Sequence, residues 1–370
     1  MAISARAQVF GSLRLDIATL NLFNFLAPPA AAYEFDRIYT QAQWQKKCDW
    51  LRHCITSLEA DIIGFQEVFS VDELKDLMQE LGYPHFAVVD SPRCEDYVCR
   101  APVVAIASRL PLAEVSPVEP CPEAVAAMGL GDDFQFGRKV LRATVSLTDW
   151  GMLDLYVLHF KSPRPLFEPE ALSGMSATPR LLAHRALGSF ASRARRGFEA
   201  MLLYQALLKR RDETANPLVM MGDFNGGLDA AEFGGFWLEA NAIHGNDRQR
   251  AGLGGLSEQA FTRAISHFAL KDASVLFLEG LRYEHQSGAR HITEPLEDLG
   301  HNRRPTHYFG SQGSLLDHIL LSQDFDATLA PARGRVCHFA VFDEHLRRPQ
   351  YERDSESSDH AALAVGLELL

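Results

Sequence analysis

The stretch PLVMMGDFNG (217–226) constrains this chain more than any other. An apolar run of the kind that fills a buried strand stops abruptly and delivers a carboxylate, Asp223, and a carboxamide, Asn225. A strand end flanked by glycines is a common turn. The stretch acquires meaning only if other segments bring partners to the same place.

The same event recurs along the chain. LRLDIATLNL ends at Asn21, DIIGFQEV delivers Glu67 and MLDLYVLHF delivers His159. SLLDHILLS carries Asp317, and SESSDHAALAV puts Asp359 and His360 at the threshold of a last apolar run. A carboxylate inside a buried strand is costly without a partner. Pairing Asp317 with His360 on a neighbouring strand explains both residues. A carboxylate on one ring nitrogen fixes the tautomer and raises the basicity of the other, as in a catalytic base with its orienter.

Apolar spacing predicts helices over 40–59, over VDELKDLMQELGY and over FEAMLLYQALLKRR, the last feeding the strand at 218–221. KVLRATVSL (139–147) and MLDLYVLHF (152–160) read as strands paired across TDWG, with further strands at PHFAVVD, PVVAIASRLPL, THYFG and VCHFAV. Strands separated by helices, with hairpins between, indicate a mixed α/β sandwich. One domain spanning 1–370 is expected, with loop-rich insertions at 163–195 and 226–305. The polar stretch 284–305 reads as loop, SRARRG (192–197) as the solvated start of a helix, and His307 as a structural histidine.

A net charge of −12, from 36 basic and 48 acidic residues, argues against binding nucleic acid through a broad cationic face. It suits a site that gathers carboxylates around a metal. The six cysteines form no zinc-spaced cluster, so most are expected as buried thiols, although Cys94 and Cys99 could close a short loop in an oxidising compartment. No secretory signal or bilayer-length apolar run is found, which makes a cytoplasmic location the expectation. No basic amphipathic helix or exposed aromatic hairpin suggests membrane docking.

The ordered set Asn21, GFQEV, HFKS, GDFN, LDHILLS and SDH resembles the endonuclease/exonuclease/phosphatase superfamily, which includes DNase I-like nucleases, apurinic-site endonucleases, inositol polyphosphate 5-phosphatases and bacterial sphingomyelinases. The motifs run from residue 13 to residue 370. The resemblance implies a four-layer α/β-sandwich, DNase I-like, with two facing mixed β-sheets flanked by helices and the site at one rim. It implies that Glu67 is the main metal carboxylate, that Asn21 binds metal or a phosphate oxygen, and that Asp359 is a second metal-side carboxylate. Asp223 and Asn225 would orient the attacking water and hold the scissile phosphate. His159 would stabilise the pentacovalent transition state or protonate the leaving oxygen. His360, oriented by Asp317, would be the general base or a phosphate ligand, and whether Asp223 or His360 takes the proton is left open.

Magnesium suits few carboxylates plus waters and phosphate oxygens, with manganese able to substitute. Arg138, Lys161 and Arg164 are the candidate substrate-phosphate contacts. The expected function is metal-dependent hydrolysis of a phosphoester, with an intracellular nuclease or other phosphodiesterase preferred. The alternatives are a small-molecule or lipid phosphate (a phosphoinositide, sphingomyelin or a nucleotide ester) and, more remotely, a binding module without catalysis. Oligomeric state is left open.

Overall fold

The computed structural model describes residues 13–286, 303–329 and 331–370. Two six-stranded sheets form its centre. The first runs in the order Gly334–Phe342, Ala362–Leu369, Leu13–Phe25, Ile62–Val68, Val103–Ser108, His85–Val88. The second runs Leu270–Asp272, Asp317–Ser322, Leu218–Asp223, Gly151–His159, Val140–Leu147, Leu112–Val118. Both are mixed on the same plan. Leu13–Phe25 lies antiparallel to Ala362–Leu369 and parallel to Ile62–Val68. Leu218–Asp223 lies antiparallel to Asp317–Ser322 and parallel to Gly151–His159.

Strand alternation assigns each face. Leu15 and Ile17 turn toward the other sheet, where they share a fully buried cluster with Ile62, Val157, Val219, Met221 and Ile319. Ala18, Leu20 and Leu22 turn the opposite way, under the helices Gln41–Leu58 and Val71–Glu80. In the second sheet Leu218 and Met220 face outward onto Leu202, Leu203 and Leu207 of the helix Ala177–Thr214, with Phe224, Phe233 and Phe236. Helix, sheet, sheet and helix make the four expected layers. Strands buried on both faces read as continuous apolar runs, which is why DIIGF and PLVMM stand out in the sequence.

The expected pairing of 139–147 with 152–160 is present as Val140–Leu147 against Gly151–His159. The helix Gln41–Leu58 starts at a Thr40/Gln43 capping box and buries Trp44, Cys48, Leu51, Ile55 and Leu58. Two expectations need correction. Residues from 177 onward are not loop: the helix Ala177–Thr214 is 38 residues long. Its first half is rich in Ala, Leu and Arg, which favour helix locally, but Leu181, Leu182, Leu187 and Phe190 are exposed and leave no core-facing stripe to detect. Within 226–305, short helical turns follow the glycines as expected. The segment then adds a helix Glu258–Ser266, the edge strand Leu270–Asp272 and a helix Ala273–Gln286. The polar stretch expected as loop at 284–305 falls mostly on 287–302, outside the described residues.

Cys94 and Cys99 are joined in a disulfide across the hairpin of Arg93–Glu95 and Val98–Ala101. Of the four free thiols Cys48 is buried, while Cys54, Cys121 and Cys337 are half-buried. Among the described residues no helix is long and apolar enough to cross a membrane.

Candidate active site

Sheet register assembles the first part of the site. His159 pairs with Asp223, and Asp223 with Asp317, so three chemically active side chains stand in one row across three strands. The first sheet supplies the facing group. Asn21 Nδ2 donates to Asp223 Oδ2 at 3.1 Å and to Glu67 Oε1 at 3.4 Å. Glu67 sits in the left-handed region at φ 60° where the strand register shifts, and Asn24 N donates to its Oε2 at 2.9 Å. A non-glycine residue held there marks a site that the surroundings over-determine.

His360 enters from the segment before the last strand. Its Nδ1 lies 2.8 Å from Asp317 Oδ2. Two residues without a sequence signal of their own lock this pair. Thr306 accepts Asp317 N on its Oγ1 at 3.1 Å, and its carbonyl accepts Ala361 N at 2.7 Å. Ser358 Oγ accepts His360 N at 3.0 Å and donates to the Asn21 carbonyl at 2.6 Å, tying the SDH segment to the first strand.

Burial sets the charges. It pushes the Asp223 carboxyl up to about 7, opposed by His360 and reinforced by Asp317. Burial disfavours a charged His360, but the charge and hydrogen bond of Asp317, with Asp223 and Asp359, outweigh it and raise the imidazole to about 10. His159 goes the other way. Burial, then Arg138, His360 and Lys161, hold it well below the ordinary histidine value. It is a neutral ring with Nε2 3.3 Å from Asp223 Oδ2 and a buried Nδ1 that has no hydrogen-bond partner.

Beside this row, burial raises the Asp359 carboxyl, opposed by His360 and reinforced by Glu67. Its Oδ1 is buried without a hydrogen-bond partner. His307 Nε2 stands 3.9 Å from Asp359 Oδ2, and His360 Nε2 stands 3.9 Å from Asp359 Oδ1. Among the described residues two groups have ligand atoms within 4.8 Å of one another: His307, Asp359 and His360, and Asp223, Asp317 and His360. An orphaned carboxylate oxygen, with Glu67 and the Asn21 carboxamide on the same side, fits a hard divalent cation held by oxygen ligands. His307, expected as structural, stands in this group with Asp359 and His360. The signal was its place in THYFG, one short hairpin away from the Asp317 strand.

The expected substrate contacts lie on the His159 side. Arg138 Nη1 donates to the Phe160 carbonyl at 3.4 Å, and its buried Nε has no hydrogen-bond partner. Lys161 Nζ donates to the Ser162 and Arg164 carbonyls, each at 3.1 Å. Burial and Arg138 lower the Lys161 ammonium. Among the described residues none of Arg138, Lys161 and Arg164 has a carboxylate in ion-pair range. Glu199, on the long helix, holds their loops: Oε1 accepts Gly137 N at 2.9 Å and Oε2 accepts Lys161 N at 3.0 Å. Asn225, at φ 55°, donates Nδ2 to the Phe160 carbonyl at 3.1 Å while its N–H binds Asp223 Oδ1 at 2.8 Å. It braces the turn that presents Asp223.

Lys47 is the other residue missed from the sequence. It is 2% exposed, and its Nζ has no hydrogen-bond partner and lies over the rings of Phe23 and Tyr39. Burial lowers it to about 8 against the pull of Asp359, Glu67 and Glu356. The signal was a lysine three residues after Trp44, on the apolar stripe of its helix.

No protein of curated function matches the sequence. Among solved structures, the human Nocturnin catalytic domain with bound sulfate superposes with a TM-score of 0.51 at 16% identity, covering 96% of this chain and 95% of that one. ANGEL2, described as a 2',3'-cyclic phosphatase, superposes at 0.52 in its complex with adenosine-2',3'-vanadate, at 14% identity over 98% and 97% of the two chains. These likenesses show the shared fold. The sequence model of the Endonuclease/Exonuclease/phosphatase family matches residues 48–360. With that match spanning every motif from GFQEV to SDH, the chain belongs to the endonuclease/exonuclease/phosphatase family.

Proposed function

We propose that this protein is a divalent-metal-dependent hydrolase of phosphoesters, using magnesium, with a nucleic-acid or nucleotide phosphodiester as its substrate. One observation carries the reading. The row His159–Asp223–Asp317 meets Asn21 and Glu67 from the opposite sheet, with His360 docked on Asp317. Structural ion pairs seldom draw six polar side chains to one buried point with carboxylate oxygens unsatisfied.

Glu67, Asp359 and Asn21 are the residues that would hold the cation. When bound, a divalent ion neutralises phosphate charge and favours ionised water. The chain's own groups supply the rest. Asp223 and His360 divide the proton transfers, and Asp317 fixes the His360 ring so that Nε2 faces the site. Asn225 holds the Asp223 turn in place. His159, neutral and pressed against Asp223, stands where the phosphate oxygens develop charge, and donors placed there act strongly because water is excluded. Arg138, Lys161 and Arg164, with no carboxylate in ion-pair range among the described residues, form an anion subsite for a neighbouring phosphate of the substrate.

A lipid phosphate is the second reading, favoured by the exposed apolar side chains of the long helix beside that subsite. Purified protein with magnesium, offered plasmid DNA, abasic duplex, RNA, nucleotides, inositol phosphates and sphingomyelin, decides between them. Turnover that is lost in His360→Ala, in Asp223→Ala and on chelation supports the site. Turnover surviving all three overturns it.

A further inference from the structure

The first half of the helix Ala177–Thr214 does not pack on the sheets. Leu182 and Phe190 are each 65% exposed, and Leu181, Leu187, Leu166 and Met175 are about half exposed. Leu182, Ala186 and Phe190 follow at four-residue spacing and share one face. Arg185 stands three residues after Leu182, and Arg193 three after Phe190, so cations border the apolar stripe. Between Ser162 and Gly197 there are six arginines against two glutamates, in a chain of net charge −12. Arg195 and Arg196 are paired with Glu199 and Glu232. Among the described residues Arg180, Arg185 and Arg193 have no carboxylate in ion-pair range.

The segment is built into the fold rather than frayed from it. Leu166 N donates to the Gly188 carbonyl at 3.2 Å, and His184 Nε2 lies 2.8 Å from the Phe167 carbonyl. Ser192 Oγ donates to the Arg164 carbonyl, and Pro165 packs so closely on Gly188 that a Cβ there would lie 2.6 Å from its ring. This region follows His159 and Lys161 directly in the chain, and its bonds to Arg164 and Leu166 tie the helix back to that segment.

We infer that this face docks the protein on an anionic lipid surface. Exposed Leu182 and Phe190, bordered by arginines, meet both needs of such a surface, apolar insertion and headgroup charge. A nucleic acid would account for the arginines but not for Leu182 and Phe190 held in water. A second copy of the chain would bring the patch against itself in a symmetric contact, setting arginine against arginine. The inference does not depend on the proposed reaction.

The test is co-sedimentation of the full chain with phosphatidylcholine vesicles, with and without phosphatidylserine, in chelator so that no turnover enters. Binding to the phosphatidylserine vesicles that weakens with salt is expected. Leu182→Glu with Phe190→Glu should lower it by about tenfold or more, and Arg185→Gln with Arg193→Gln should abolish the preference for phosphatidylserine. Unchanged circular dichroism shows that both variants fold. Wild-type protein that stays in the supernatant with both vesicles overturns the inference. So does an apolar pair of substitutions that instead dissolves a dimer or removes RNA binding while vesicle binding is absent.

Discussion

Asp317 Oδ2 lies 2.8 Å from His360 Nδ1, although 43 residues separate them in the sequence. The pair makes a pH-dependent contribution to stability. His360 is raised from 6.5 to about 10, so its stabilisation is complete below pH 6.5 and is lost as pH rises through 10. In chelator, thermal unfolding of Asp317→Asn should show a loss of about 3 kcal/mol at pH 7 that shrinks toward pH 10. Lys47, on which Asp317 does not act, largely cancels in the difference, whereas Asp223, raised in part by Asp317, changes with the substitution and contributes near pH 7. A difference that stays constant from pH 7 to 10 would mean that the pair does not hold the proton.

Catalysis should fail as a unit. His360→Ala and Asp223→Ala should each lower kcat by roughly a thousandfold or more, and the double variant should lose little beyond either single one. His159→Ala should cost about a hundredfold or more by itself. Steady-state rates on whichever ester is turned over provide the check, and strictly multiplicative losses would separate Asp223 from His360.

Glu67 should govern metal affinity. Substitution Glu67→Gln keeps the shape and the hydrogen bond from Asn24 N but removes the charge. The magnesium concentration for half-maximal activity should rise by about 10-fold to 100-fold, and calorimetric titration with manganese in the absence of substrate should follow it. An unchanged titration would remove Glu67 from the cradle.

The strands and their terminal residues were legible because both faces of each sheet are covered, which makes each polar interruption conspicuous. Asp317 and His360 could be paired from sequence since a buried carboxylate demands a partner. Thr306, Ser358 and Glu199 were not legible. Each acts through hydrogen bonds to backbone in distant segments, and such bonds have no residue-type signature. The first half of the long helix was missed for the opposite reason. Leu181 and Leu187 fall off the line from Leu182 to Phe190, so the segment's large apolar residues form no single stripe of the width that betrays a packed helix.

Glu199 should act on substrate binding and leave the chemistry in place. It fixes the loops bearing Arg138 and Lys161 through Gly137 N and Lys161 N. Glu199→Ala frees both loops and removes two part-buried hydrogen bonds, a loss of about 0.5–1.5 kcal/mol each. KM should rise by about tenfold with kcat within a few-fold, and Glu199→Gln, which retains one acceptor, should recover part of it. A fall confined to kcat would place Glu199 nearer the reacting groups than the structure does.

Gly222 sets the spacing of the row His159–Asp223–Asp317. It pairs with Leu158 in the parallel ladder, one step before His159 meets Asp223. Its φ is +144°, and a Cβ there would lie 2.0 Å from the Leu158 carbonyl oxygen. That atom is backbone in a central strand and cannot swing aside, so Gly222→Ala must part the two strands. A loss above about 4 kcal/mol is expected, enough to lower Tm by roughly 5 °C or to leave the protein insoluble. Gly82 provides the control. Its φ of +85° is also disfavoured for alanine, though nearer the left-handed well, and nothing lies within 4 Å of the added methyl, so Gly82→Ala should cost only about 1 kcal/mol of backbone strain. Equal melting temperatures for the two variants would show that the strands are not held together at Gly222, and with that the close approach of Asp223 to His159 would lose its structural cause.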